Sequence, residues 1–374
     1  MKIFFNKKIV IIGAGPAGCS CAIALLNAGA INVTLITNSK TGKFHIGESI
    51  PPEMNSLMRR LGIYDSFIAQ NHEQCYGSCS YWGSERRGYN DSVLSPFGHG
   101  WHLDRRKFNQ FMLQQAIKRG AKVIQNCNYK SATKNKSKYQ LTLNGNSGYS
   151  EQIEAEFVID ATGSKSVFTS DQGSRKIQNT SLVCLGLRFQ NGSEDSVSKL
   201  THLEAVEHGW WYAARIPNNQ LLVTFYTIPE ITKEYELHNI EKWKDYLKKA
   251  VNTYKWVSNM KSIDDKIMGF HAPSFIQDHI VGENWFAIGD SATCYDPITS
   301  QGIIKSVSHG MLAARVLEDY YKGDKTTLIH YENHLQSEYK QYEEARTYFY
   351  SLEQRWPKSL FWKYMHNLKM NIQV

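Results

Sequence analysis

The chain has 374 residues, 42% of them hydrophobic and 21% charged, enough for a large core and inconsistent with wholesale disorder. A net charge of +8 comes from lysines and arginines spread along the chain without a long basic block, so the surface reads as solvated and nucleic-acid binding is not expected. No run of 18 apolar residues predicts a transmembrane helix, Asn6, Lys7 and Lys8 interrupt any signal-peptide pattern, and the seven scattered cysteines offer no metal-site spacing, so reduced thiols in a bacterial cytoplasm are the expectation.

In chain order, Lys8 to Ile12 reads as a short buried strand. Gly13-Ala14-Gly15-Pro16-Ala17-Gly18 follows, then the helix-like SCAIALLNAG and a second strand, NVTLIT. This is the strand, glycine loop, helix, strand unit that binds a dinucleotide. Its glycines let the backbone approach a pyrophosphate, and the helix N-terminus offers free N–H groups to the anion. The second strand ends at Thr37, followed by Asn38 and Ser39, where an acid usually holds the adenosine ribose.

Residues 46 to 52, IGESIPP, place Glu48 and Ser49 in a loop just after His45. Ser80-Tyr81-Trp82-Gly83-Ser84 comes next, then PFGHGWHLDRRKF at 96 to 108, with His99 and His102. Asp104-Arg105 opens a predicted amphipathic helix carrying Phe108, Phe111 and Met112. KSATKNKSKY and LNGNSGYSEQ read as exposed hairpin loops. FVIDATG, 157 to 163, reads as a strand ending in Ala161-Thr162-Gly163. SLVCLGLRF, WWYAARI and QLLVTFYTI, between 181 and 227, read as strands of a substrate-site sheet, so Trp210, Trp211 and Tyr212 alternate between its faces. WFAIGDSATCYDPITSQGI, 285 to 303, reads as a strand, Gly289-Asp290, a loop with Pro297, and a helix starting near Gln301. From about Thr326 the chain reads as helical and rich in Tyr, Phe and Trp, either as packing over the nucleotide domain or as a docking surface.

The glycine loop, the Ala-Thr-Gly turn and the Gly-Asp segment, in this order, resemble the FAD-binding frame of the p-hydroxybenzoate-hydroxylase superfamily. The resemblance implies an α/β fold: a discontinuous Rossmann-like FAD-binding domain (1–75, 100–180, 280–325), an interleaved β-sheet substrate domain (76–99, 181–279) and a helical region (326–374). It implies that Gly13 to Gly18, Thr37, Ser49, Thr162, Gly163 and Arg105 contact non-covalent FAD. Asp290 would hold the ribityl chain, and Pro297, Gln301, Gly302 and Ile303 would approach the flavin ring. No second GxGxxG is present, so NAD(P)H is expected to bind transiently or an external reductant to deliver the electrons.

Gly209-Trp210-Trp211-Tyr212-Ala213-Ala214-Arg215-Ile216-Pro217 is a distorted version of the Gly-Trp-x-Trp-x-Ile-Pro stretch of flavin-dependent halogenases. Those enzymes need a lysine shortly after the Gly-Glu loop to deliver hypohalous acid. This chain has no lysine between Lys43 and Lys107, which argues against halogenation. SYWGS, GHGWHLDR, GWWY, DPITSQGI and LEQRWPKSLFW resemble instead the flavoprotein modifying enzymes that build tryptophylquinone cofactors. That resemblance implies a monooxygenase using O2 to oxygenate a tryptophan of a precursor protein of a quinone-containing oxidase or dehydrogenase. The indole attacks an electrophilic oxygen donor, and a base must take the proton lost as the ring rearomatises. Glu48 is the first candidate base, with His45, His99 and His102 behind it, and Trp82, Trp210, Trp211 and Tyr212 are candidate substrate contacts. A small-molecule aromatic hydroxylase, a reductase of isoprenoid chains and a non-catalytic FAD-binding chaperone of the precursor are the alternatives.

Overall fold

The computed structural model describes residues 6–38, 46–146, 148–190 and 197–368. The glycine loop joins Ile9–Ile12 to the helix Pro16–Asn27, and Val33–Thr37 returns parallel to the first strand, with Ile9 opposite Val33. Ile9 to Ile12 are fully buried, as expected of a central parallel strand covered on both faces. The sheet grows outward in the order 281–282, 285–287, 157–160, 9–12, 33–37, 122–125, all parallel except the outermost 281–282 strand. Its strands come from four separated stretches of sequence, so long-range pairing completes the dinucleotide fold.

A second, nine-stranded sheet carries the residues between 77 and 91 and between 176 and 294. Its centre is the meander Lys176–Gln190, Gln220–Thr227, Gly209–Ile216, Thr201–Val206. The register pairs Trp210 with Tyr226 and Tyr212 with Thr224, and puts Cys184 opposite Tyr226. One face therefore carries Trp210, Tyr212, Thr224, Tyr226 and Cys184, and the other carries Trp211, Phe225, Val223 and Leu185. The helices Ile240–Leu247 and Val251–Val257 cover the second face, where Trp211 meets Trp243 edge to face at 5.0 Å.

Cys127–Asn135, Lys138–Gly145 and Ser150–Ala155 form a small antiparallel sheet. The stretch expected to be a hairpin loop from Lys130 to Tyr139 is thus mostly strand. Tyr129, Tyr139, Leu141 and Leu143 alternate into a buried cluster with Phe168 and Trp285, and that burial overrides the polar composition. A long helix, Gly302–Tyr321, packs on the first helix, and Thr327–Ser351 and Leu360–His366 close the described chain. Among the described residues no helix is long and apolar enough to cross a membrane.

Candidate active site

Three sequence motifs distant along the chain converge. A side chain on Gly13 would meet the carbonyl oxygen of Ala161 at 2.1 Å, and one on Gly18 would meet the Gly13 carbonyl at 2.0 Å. These two glycines let the first helix and the Ala-Thr-Gly turn touch. Gly15 has nothing within 4 Å of where its side chain would be, which leaves its backbone open to an approaching pyrophosphate at the helix start. Pro16 occupies the first turn of that helix, where its missing N–H is no loss. Ala14 and Ala17 flank this loop, and Ala17 touches the position of Gly289 at 2.8 Å. The buried carboxylate of Asp160 organises the second turn. One oxygen accepts from Thr162 N–H at 2.9 Å and Thr162 Oγ1 at 2.7 Å, and the other accepts twice from Thr169 at 2.7 Å. Ser291 then donates to the carbonyl of Gly163 at 3.2 Å, joining the second motif to the third. Thr37 is buried at the end of its strand.

Gly302 opens a 20-residue helix with nothing near its missing side chain, so a helix N-terminus faces open space beside the Pro297 turn. Ile303 is buried behind it, and Gln301 is exposed. Asp290 pairs with Lys305 at 2.8 Å. Lys305 is the one buried lysine among the described residues, and its ammonium also reaches the carbonyl of Thr293 and lies 4.1 Å from the Tyr295 ring. The sequence reading missed Lys305, which sits three residues past the helix start at Gly302, beside Ser306.

The Gly-Glu loop is held by Arg105. Its guanidinium Nη1 donates to the carbonyls of Ile46 and Gly47 at 3.0 and 2.9 Å, while its Nε is buried without a partner. Glu48 is 1% exposed, and neither of its carboxylate oxygens has a hydrogen-bond partner. Burial pushes its carboxyl from near 4.5 up to about 7, with Arg105, the local backbone N–H groups and His102 opposing the rise. Burial lowers Arg105, while Glu48 and Asp290 act against that change. A buried carboxyl titrating near neutrality, with free oxygens and a neighbouring guanidinium, is equipped to accept a proton from a reacting group.

Ser49 begins a buried polar chain. Its Oγ lies 2.7 Å from Tyr212 Oη and 2.7 Å from Thr201 Oγ1, and His102 Nε2 lies 2.9 Å from the same Thr201 oxygen. Glu48, Ser49, His102 and Tyr212 are thereby brought together, and Thr201, absent from the sequence reading, is their junction. His99 lies apart: its ring packs 4.4 Å from Trp101, and its Nδ1 is 2.9 Å from the Gly100 carbonyl. His45 lies outside the described residues.

The tryptophans depart from expectation. Trp211 points to the helix-covered face and so cannot line the Glu48 side. Trp210 shares a face with Tyr212 but is enclosed, stacking on Tyr226 at 4.0 Å and donating to Tyr350 Oη at 3.1 Å. Trp82 donates to the Phe349 carbonyl at 2.7 Å and packs on Trp362. The C-terminal helices, which no local pattern ties to this sheet, cover both rings. Tyr212 alone of the four stays bonded into the Glu48 loop. A cavity of about 750 Å³ lined by Val183, Pro229, Lys233, His238 and His271 opens on the far side of the sheet, the Trp211 side, away from Glu48. Among the described residues no three His, Cys, Asp or Glu side chains converge as a metal ion would require.

The open backbone at Gly15 and Gly302, the orphaned Arg105 Nε and the half-exposed Asp290 fit a flavin dinucleotide. LodB of Marinomonas mediterranea, which carries the name of an FAD-dependent oxidoreductase, is 26% identical over 96% of both chains. The fold matches that of CmlS, a flavin-dependent halogenase, with a TM-score of 0.88 at 22% identity over 97% of this chain and 68% of that one. It also matches QhpG, described as a peptidyl tryptophan dihydroxylase essential for tryptophylquinone cofactor biogenesis, with a TM-score of 0.76 at 17% identity over 96% and 78%. The model of the FAD binding domain family matches residues 6–344, so the chain belongs to that family and is an FAD-dependent oxidoreductase of the halogenase and monooxygenase type.

Proposed function

We propose that the protein is a flavin-dependent monooxygenase that oxygenates a tryptophan side chain of a precursor protein during the making of a tryptophylquinone cofactor. The observation that carries this reading is Glu48: a buried, unpartnered carboxyl titrating near 7 on a loop that has no lysine. Both halogenation and oxygenation of an indole need a base for the ring proton, but a halogenase needs in addition an ammonium to carry the oxidised halide, and the loop has none. Lys305, the buried lysine at hand, has its ammonium committed to Asp290 and the Thr293 carbonyl. The likeness to QhpG supports the choice of substrate class.

FAD, when bound and reduced, activates O2 and supplies the electrophilic oxygen. The protein's own groups do the rest. Gly13 to Gly18 and the first helix would hold the pyrophosphate, Thr162 and Gly163 would shape the wall beside it, and Asp290 would hold the ribityl hydroxyls. Arg105 fixes the Ile46–Gly47 carbonyls, so that Glu48 is presented rather than folded away. The carboxylate of Glu48 takes the proton from the ring carbon that has gained oxygen, restoring aromaticity. The Tyr212–Ser49–Thr201–His102 chain orients the loop from behind. Burial keeps water from these groups and strengthens the field of Arg105. Electrons come from an external reductant or a transiently bound NAD(P)H. The test is incubation with an unprocessed quinoprotein precursor, a reductant and air, followed by intact-mass analysis. Oxygenation of free phenols or indoles, with the precursor unchanged, would assign the protein to the small-molecule hydroxylases.

A further inference from the structure

The aromatic rings that the C-terminal helices withdraw from the substrate side form a connected series. It starts at Asp296, the residue before Pro297 in the loop that approaches the flavin. Tyr350 donates to the Asp296 carboxylate at 3.1 to 3.2 Å, and Trp210 donates to Tyr350 Oη at 3.1 Å. Asp296 is buried, and burial lifts its carboxyl to about 6, against the backbone N–H of Ile298 and the charge of Arg346. From Trp210 the ring centroids step 6.3 Å to Trp82, 5.6 Å to Trp362 and 6.3 Å to Trp356. Tyr350 is also 5.9 Å from Trp82 and 6.2 Å from Trp362. Trp210 and Trp362 are fully buried, while Trp82 and Trp356 are half-buried and reach solvent.

Indole and phenol rings are among the side chains most easily oxidised by one electron, and rings in near contact pass an electron vacancy between them. Packing alone accounts for aromatic pairs in a core. It does not account for a hydrogen-bonded start on a buried carboxylate at the flavin loop together with an end at two solvent-reaching indoles.

We propose that Tyr350, Trp210, Trp82, Trp362 and Trp356 form an exit route that carries oxidising vacancies from the flavin pocket to the protein surface. An oxygen-derived radical formed in the pocket gains one electron from Trp210 or Tyr350 and is quenched. Each ring in turn is refilled by the next one outward. At Trp82 or Trp356 a soluble thiol gives up one electron, which closes the balance. While the vacancy rests on Tyr350, its phenolic proton sits on Asp296 and returns when the ring is reduced. The route spares the groups nearest the chemistry, among them Cys184, Tyr212 and Glu48. It rests on the flavin site and not on the identity of the oxygenated substrate.

The experiment is flash excitation of the FAD-loaded protein with blue light, because an excited flavin withdraws one electron from a nearby ring. Transient absorption follows any indole radical, and peptide mass spectrometry after steady illumination in air maps the oxidised residues. The expected result in the natural protein is a long-lived indole radical that added thiol removes, with oxidation products on Trp82 and Trp356. Trp210→Phe should lower the radical yield, leaving only the fraction that enters through Tyr350, 5.9 Å from Trp82. Trp210 is wholly buried, so Trp82→Phe, at a half-buried position, is the second variant. It should still form the radical, shorten its lifetime, and move the oxidation products inward to Trp210, Tyr226 and Tyr350. Absence of any indole radical from the flavin-loaded natural protein would overturn the proposal. So would a Trp82→Phe variant with unchanged radical lifetime and oxidation map.

Discussion

Replacing Glu48 by glutamine separates its proton chemistry from its shape. A protonated glutamate and a glutamine have nearly the same volume, so the cavity is unchanged. In the folded chain the carboxyl titrates at about 7, against 4.5 for an ordinary glutamate. The folded state therefore holds this proton more tightly than the unfolded chain does. The resulting stability is fully present below pH 4.5 and is lost as pH rises through 7. At roughly 1.4 kcal/mol per pH unit, the span from 4.5 to 7 amounts to about 3 kcal/mol. Glu48→Gln has no proton to lose. In urea unfolding with excess FAD it should match the natural protein at pH 4.5 and exceed it by up to about 3 kcal/mol at pH 8. Activity should move the opposite way. The base must be ionised, so kcat/KM of the natural enzyme should rise through pH 7, and Glu48→Gln should lose that limb and about 10²- to 10⁴-fold in rate. A variant whose stability falls with pH in parallel with the natural protein, or which keeps the rising limb, would refute the assignment.

Other substitutions probe the frame around it. Gly18→Ala drives a methyl into the Gly13 carbonyl and should prevent folding, whereas Gly15→Ala meets nothing in the protein and should fold normally. Gly15→Ala should nonetheless bind FAD more weakly by flavin fluorescence titration, and equal affinity would remove the pyrophosphate from this loop. Lys305→Met breaks the pair with Asp290, but Asp290 is 39% exposed and can recruit water, so the unfolding free energy from urea titration should fall by about 1–2 kcal/mol and not by the several of a sealed pair. Trp211→Ala empties a fully buried site between Phe225 and Trp243 and should cost about 3–5 kcal/mol. The same variant, if it folds, should keep the substrate KM, and a large KM change would return Trp211 to the substrate side. Chloride or bromide supplied with reduced FAD and free tryptophan should yield no halogenated product by mass spectrometry.

The flavin frame was legible because its glycines answer to sterics. Gly13 and Gly18 must be bare where two backbones touch, and that demand leaves a fixed spacing in the sequence. The loop of Glu48 was legible for the same reason: Gly47, at φ +101°, would push a side chain onto Arg105 Nη1 at 2.8 Å. Alternation along Gly209–Ile216 correctly divides Trp210 from Trp211 between two faces. It cannot say which face meets the flavin loops, because the helices from 240 to 257 and from 327 to 366 decide that by covering one face and part of the other. The Ser49–Thr201–Tyr212 junction was invisible for a related reason. Its members stand 152 and 163 residues apart, and a threonine in a polar stretch carries no local signature. Lys305 and Asp296 were likewise hidden, since an ion pair or a tyrosine from a distant helix leaves no periodic trace. The hairpin loop expected around Tyr149 does join the strands Lys138–Gly145 and Ser150–Ala155, whereas the stretch from Lys130 to Tyr139 is mostly strand because its charged residues masked the alternating apolar positions Tyr139, Leu141 and Leu143.

The measurement that bears most directly on the proposed activity is the intact mass of an unprocessed quinoprotein precursor after incubation with this protein, FAD, a reductant and air. The account predicts a gain matching added oxygen, localised by peptide sequencing to one tryptophan and absent with Glu48→Gln. A precursor of unchanged mass, alongside oxygenated or halogenated free aromatic compounds, would contradict it.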